Sequence, residues 1–163
     1  MTRFFPNSRK VVDFRAVIFS GLISGLVFLL VNMILSWLVL GTPWIFVRMV
    51  GAILLGEEVL PPPANFDPVV FIIAVGIHLL LSIIFTTILA SIIHKWGLLV
   101  GIIGGAIFGL ALYAINFYTF SFFFPWFFSL RSWIVLLSHV AYGATAGGIY
   151  EALEVERFET VDA

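Results

Sequence analysis

Four stretches of the chain, at about residues 16–40, 68–93, 97–120 and 132–153, are runs of apolar residues interrupted only by small or uncharged polar ones. Lys and Arg are missing from their interiors, and the one carboxylate, Glu151, sits at the end of the last run. A hydrocarbon core about 30 Å thick is crossed by roughly 20 apolar residues in helical form. Each run therefore predicts a membrane span. The first is too long for a secretory leader and has no small-residue cleavage site before a polar region, so it predicts a retained span.

The segments between the runs carry their own signals. Residues 44–55 are apolar apart from Arg48 and too few to span, which predicts an interfacial or re-entrant helix in the first outer loop. Gly56, Glu57 and Glu58 end it, and Pro61, Pro62 and Pro63 impose a stiff extended stretch. Asp67 before Pro68 is a helix start, a capping carboxylate followed by a residue suited to the first turn. The second outer loop, Ser121 to Ser129, is an aromatic mat of the kind that sits among lipid headgroups.

Polar positions recur in order. Gly21, Gly25, Asn32, Pro43, Trp44, Arg48 and His78 are followed by Gly105, Gly109, Asn116, Pro125, Trp126, Arg131 and His139. Each Gly-Gly-Asn trio is spaced by 4 and 7 residues, which places it on one helical face. Gly101 extends the second ridge, and Ser82, Thr86 and Ala90 with His78, and Gly143 and Gly147 with His139, form matching stripes on the second and fourth spans. Small residues four apart let helix backbones approach closely in lipid. Spans one and three run the same way, so the halves read as parallel hairpin repeats. The expected fold is all-α: an integral membrane four-helix bundle, one domain over residues 1–163, with an acidic tail at 154–163.

Composition sharpens this picture. The chain is 62% hydrophobic and 10% charged, with a mean hydropathy of +1.17, against about 45–50% apolar residues in soluble domains. Its net charge of −1 gives no basis for a nucleic-acid partner. The absence of cysteine removes disulfides, thiolate metal sites and a cysteine nucleophile. Arg3, Arg9, Lys10, Arg15, Lys95 and Arg157 flank the spans on one side, and only Arg48 and Arg131 lie on the other. Because basic residues concentrate on the cytoplasmic side, both termini are predicted there.

A helical rise of about 1.5 Å per residue puts Asn32, Asn116, His78 and His139 in the outer half of the bilayer, beneath Arg48 and Arg131. Three chemistries suit this set. The Asn and His side chains form a hydrogen-bond network that fixes helix pairing, with the arginines bound to lipid phosphate or another anionic group, or capping carbonyls. Alternatively His78 and His139 supply axial nitrogens to haem b for electron transfer, with the arginines pairing its propionates. A third reading is a small-solute or proton-linked transporter working as an oligomer, with the histidines titrating. Hydrolase chemistry lacks its parts, since there is no His-Glu-x-x-His and no cysteine, and the chain reads as a non-enzyme. No metal site is expected, and no resident cofactor in the first reading.

The strings Gly41-Thr-Pro-Trp44, Arg48-Met49, Val59-Leu-Pro-Pro-Pro-Ala64, Phe108-Gly-Leu-Ala-Leu-Tyr113, Asn116-Phe-Tyr118 and Phe124-Pro-Trp126 resemble those of a family of small, uncharacterised four-span bacterial inner-membrane proteins. Some of that family carry the name sodium:proline symporter. The resemblance runs from the first span to the fourth and implies the bacterial inner membrane, with no activity to carry over. The combined expectation is an accessory or assembly protein in the lipid bilayer, self-associating or part of a larger complex.

Overall fold

The structure, a computed structural model, describes residues 8–155 and 157–160. Of the charges weighed above, Arg3, Glu156 and Asp162, and the side chains of Arg9, Arg157 and Glu159, lie outside the described residues. Helices dominate. They are α1 (Phe14–Leu40), α2 (Ile45–Leu55), α3 (Pro68–Ile93), α4 (Leu98–Tyr118) and α5 (Trp133–Leu153). Three of these regions are long and apolar enough to cross a membrane: α1, α3, and α4 with the short turn continuing it to Phe122.

Caps mark the helix ends. The Asp13 carboxylate accepts from the backbone N–H groups of Arg15 and Ala16 to start α1, and Gly41, at φ 75°, closes it by donating to the Trp37 carbonyl. Asp67 accepts from Val69 and Val70 at 2.9 and 3.1 Å, with Pro68 in the first turn of α3. Ser132 starts α5 by accepting from Val135. Each of these bonds satisfies amides or carbonyls that a helix end leaves open.

The long helices pack in the spatial order α3, α1, α5, α4, while α3 and α4, joined by a tight turn, barely touch. The closest approach is between α4 and α5. A Cβ added to Gly105 would collide with the Gly143 carbonyl oxygen, one on Gly143 with the Gly105 carbonyl oxygen, and one on Gly147 with that of Gly101. Glycine is needed here because backbone lies against backbone. The α1–α3 contact is looser, with Gly21 facing the Ile83 backbone and Gly25 facing Ser82 and Leu79.

Polarity is arranged inside out. Ser20, Ser24, Asn32, Ser36, Ser82, Thr86, Ser138 and His139 are buried, whereas Ile18, Leu30, Trp37, Ile72, Leu99 and Ile107 are exposed. Such an extensive apolar exterior is foreign to soluble monomers and suits a hydrocarbon solvent. The shorter helix α2 does not lie with one face open. Seven consecutive residues, Phe46 to Ala52, are buried, with Gly51 against Val70 of α3.

The segments before α1 and after α5 meet. Strand β1 (Ser8–Val11) pairs antiparallel with β2 (Arg157–Thr160), Ser8 opposite Thr160. Lys10 forms an ion pair with Glu154 at 2.5 Å, and Asp13 accepts from the Val155 N–H at 3.1 Å. The buried Tyr150 hydroxyl accepts from the Asp13 N–H. This ribbon places the starts of α1 and the end of α5 at one end of the helices.

Candidate functional site

The two histidines converge on one phenylalanine. Phe28, on α1 and 2% exposed, has its ring centroid 4.8 Å from the imidazole of His78 on α3 and 4.8 Å from that of His139 on α5. It meets His78 tilted and His139 edge-on. Phe46 closes on His78, and Tyr113 and Phe117 of α4 close on His139. Sequence reasoning overlooked Phe28. The signal was present, since residue 28 lies seven after Gly21, three after Gly25 and four before Asn32, on the same helical face.

Each ring has a definite hydrogen-bonding task. His78 Nε2 lies 3.0 Å from the Gly25 carbonyl oxygen, which can only accept, so this nitrogen donates. His139 Nδ1 likewise donates to the Val135 carbonyl at 2.8 Å. The neutral ring then accepts at Nε2 from the Asn116 amide, 3.3 Å away.

Neighbouring side chains continue the pattern. Ser82 Oγ, one turn along α3 from His78, donates to the Gly21 carbonyl at 2.5 Å. Glycines at 21 and 25 thus do more than allow close packing, because a carbonyl without a covering side chain is open to a second donor. Tyr142 of α5 donates to the Ser82 carbonyl at 2.7 Å and shares a 2.9 Å bond with the Thr86 hydroxyl. The ties run α1 to α3, α3 to α5 and α5 to α4. Every long helix is held to another by a polar side chain.

The space left among these groups is small. The cavity bounded by Phe28, His78, Ser82, Asn116, His139 and Tyr142 holds about 80 Å³, below the roughly 300 Å³ from which ligand pockets start. A macrocycle held between two imidazoles needs the volume that Phe28 fills. In this arrangement Phe28 lies between the two imidazoles, and each Nε2 is engaged within the bundle. Among the described residues no three His, Cys, Asp or Glu side chains are grouped so that they could hold a metal ion.

The other predicted residues sit apart. Asn32, fully buried on α1, does not join His78; among the described residues neither its Oδ1 nor its Nδ2 has a hydrogen-bond partner. Leaving a buried polar group unpaired costs about 1–3 kcal/mol. Arg131 lies over the Phe128 ring and near that of Tyr118, and its Nε donates to the Phe128 carbonyl. Arg48 is buried in α2, its Nε donating to the Val59 carbonyl at 2.8 Å and its Nη1 to Asn65, at 3.1 Å to the side-chain oxygen and 3.3 Å to the backbone.

Arg48 thus clasps the proline-rich loop. Arg48→Met keeps the stem and removes all three bonds, so protease cutting between Gly56 and Asp67 is expected to rise several-fold with little change in helix content. Unchanged cutting would refute the clasp. Trp126 performs the parallel task for the second outer loop, donating from Nε1 to the Met49 carbonyl at 3.1 Å.

Comparison with protein-family models, curated proteins and solved structures finds no match.

Proposed function

We propose that the chain is a multi-pass bacterial inner-membrane protein with a structural task, an accessory or assembly subunit rather than an enzyme. One observation carries the reading: the side chains best suited to chemistry are spent on joining helices. His78, His139, Asn116, Ser82 and Tyr142 all bond within the bundle. A nucleophilic site couples a hydroxyl or thiol to a base, whereas the imidazoles here bond backbone carbonyls and an amide.

In this reading all four long helices cross the bilayer, α5 included. Its polar residues are tolerated because α1 and α4 cover them; Ser138, His139, Tyr142, Gly143, Ala146 and Gly147 are buried. The halves act as parallel hairpin repeats, supported by two neighbouring pairs of matching positions: the Gly25 carbonyl bonds the His78 imidazole, and Gly109 lies against the His139 backbone carbonyl. Basic residues put the paired termini in the cytoplasm and both outer loops outside. The resemblance to small four-span inner-membrane proteins agrees with this placement.

The absence of native cysteine makes topology directly readable. Asn65→Cys and Ser129→Cys are expected to label with an impermeant maleimide in intact cells, Lys95→Cys and Val155→Cys only after permeabilisation. Photocrosslinkers at Leu99 and Ile107 are expected to give a discrete adduct of defined mass in native membranes. A Soret band that appears on haem supply and disappears in His78→Ala or His139→Ala would overturn the structural reading.

A further inference from the structure

The space beside the histidines is small but not closed. Helices α3 and α4 share a tight turn and barely touch, and the cavity of about 80 Å³ opens between them, past the half-buried Leu81 and Phe85 of α3 and the exposed Phe120 that follows α4. On the membrane placement proposed above, this mouth faces lipid hydrocarbon. Neither a carboxylate nor a basic chain of Lys or Arg lines the crevice.

The crevice is short of donors. Ser82 gives its hydroxyl hydrogen to the Gly21 carbonyl, Tyr142 gives its own to the Ser82 carbonyl, and His139 gives its Nδ1 hydrogen to Val135. His78 spends its Nε2 hydrogen on the Gly25 carbonyl. With no carboxylate in the wall to offset a charge, the His78 ring is neutral and its Nδ1 carries a lone pair. Among the described residues nothing donates to that nitrogen, nor to the side-chain oxygen of Asn116. Both atoms are accessible, whereas those of Asn32 are sealed. Phe28 and Phe46 cover the His78 ring from α1 and α2, and its remaining edge lines the crevice, as Asn116 does.

We infer that the crevice binds the hydroxyl end of a long-chain alcohol, whose O–H donates to His78 Nδ1 and whose tail leaves between α3 and α4 into the bilayer. Lone pairs are what the protein leaves over, so the ligand must bring a hydrogen; ethers, ketones and esters have none to give. An amine would arrive charged, with nothing in the wall to pair with it. A hydroxyl also accepts, and one Asn116 N–H remains for it, since only the other serves His139. Size excludes a ring, because benzene occupies an engineered cavity of about 150 Å³. A hydroxyl and a short piece of chain need less.

The test uses full-length protein in an amine-oxide detergent, which has no hydroxyl group, with an octanol carrying a diazirine on its chain as photolabel. Saturable adducts on Leu81, Phe85 or Phe120 are expected. Competition by n-octanol should exceed that by its methyl ether about tenfold, the worth of one hydrogen bond, because the ether keeps oxygen and tail but cannot donate. His78→Phe keeps a ring in place and removes Nδ1, and it is expected to erase the preference for alcohol over ether. Leu81→Trp leaves the histidine and blocks the mouth, so it is expected to remove the adducts even where His78→Phe does not accumulate. Absence of saturable adducts, equal competition by alcohol and ether, or a preference that survives in His78→Phe would each overturn the assignment. Because the readout is made in micelles, its failure leaves the cysteine-labelling and haem tests of the structural role untouched.

Discussion

Gly105→Val is expected to be the most damaging single substitution outside the chain's caps, pushing α4 away from α5 and preventing accumulation of folded protein. The added side chain meets the Gly143 carbonyl oxygen, and Gly143 in turn faces the Gly105 carbonyl. Overpacking against side chains costs about 1–3 kcal/mol because rotamers can yield. Backbone at the centre of a helix cannot rotate away, so the loss should reach or exceed about 3 kcal/mol, the top of that range. Gly143→Val should behave alike from the other side. Gly76 on α3 is the control, since a Cβ there meets nothing within 4 Å. Gly76→Ala should hold or raise the melting temperature, because alanine favours helix over glycine by about 1 kcal/mol. Thermal unfolding in detergent decides the matter: a Gly105→Val protein that melts with the wild type would disprove the backbone contact.

His139→Ala is expected to follow, with a loss of about 3 kcal/mol, comparable to truncating a buried aromatic ring. The ring packs against Phe28, Tyr113 and Phe117, and its removal strands the Asn116 amide. His139→Phe separates the two contributions, keeping the packing and forfeiting the bond at about 1–2 kcal/mol. A double-mutant cycle with Asn116→Ala should give a coupling between about 0.6 and about 1.7 kcal/mol, the average and the maximum measured for polar pairs between membrane helices. His78→Ala should cost less, since His78 is only half-buried and makes a single bond. If His78→Ala proved the more harmful, or the coupling vanished, the network described for the bundle would be wrong.

Both expectations trace to features of unequal visibility in the sequence. The glycine ridge of α4 was legible, because small residues four apart on an apolar helix have one obvious use. Its partner on α5 was legible as a stripe, and the reciprocal seating of Gly105 on Gly143 was not. For Phe28 the helical period gave its face, beside Gly21, Gly25 and Asn32, but among eighteen phenylalanines nothing local showed that it would separate two histidines. Asn32 and Asn116 looked equivalent and behave differently, since one finds an imidazole and the other finds none. Arg48 and Arg131 matched in order but not in use. Arg48 turned into its own loop, where three carbonyl-type oxygens were within reach, while Arg131 settled on aromatic rings.

Sequence alone determined what depends on neighbours along the chain. Apolar runs set the helices and their fitness for a bilayer, Asp67 with Pro68 set the start of α3, and the 3.6-residue period set which residues share a face. The tertiary structure decided what depends on register between helices. It chose the order α3, α1, α5, α4, drew the segments flanking α1 and α5 into a ribbon, and gave the two bundle imidazoles their partners. The division has a physical cause. A helix fixes the direction of its side chains locally, but a hydrogen bond between helices needs a match within a few tenths of an ångström that only the packed backbones supply.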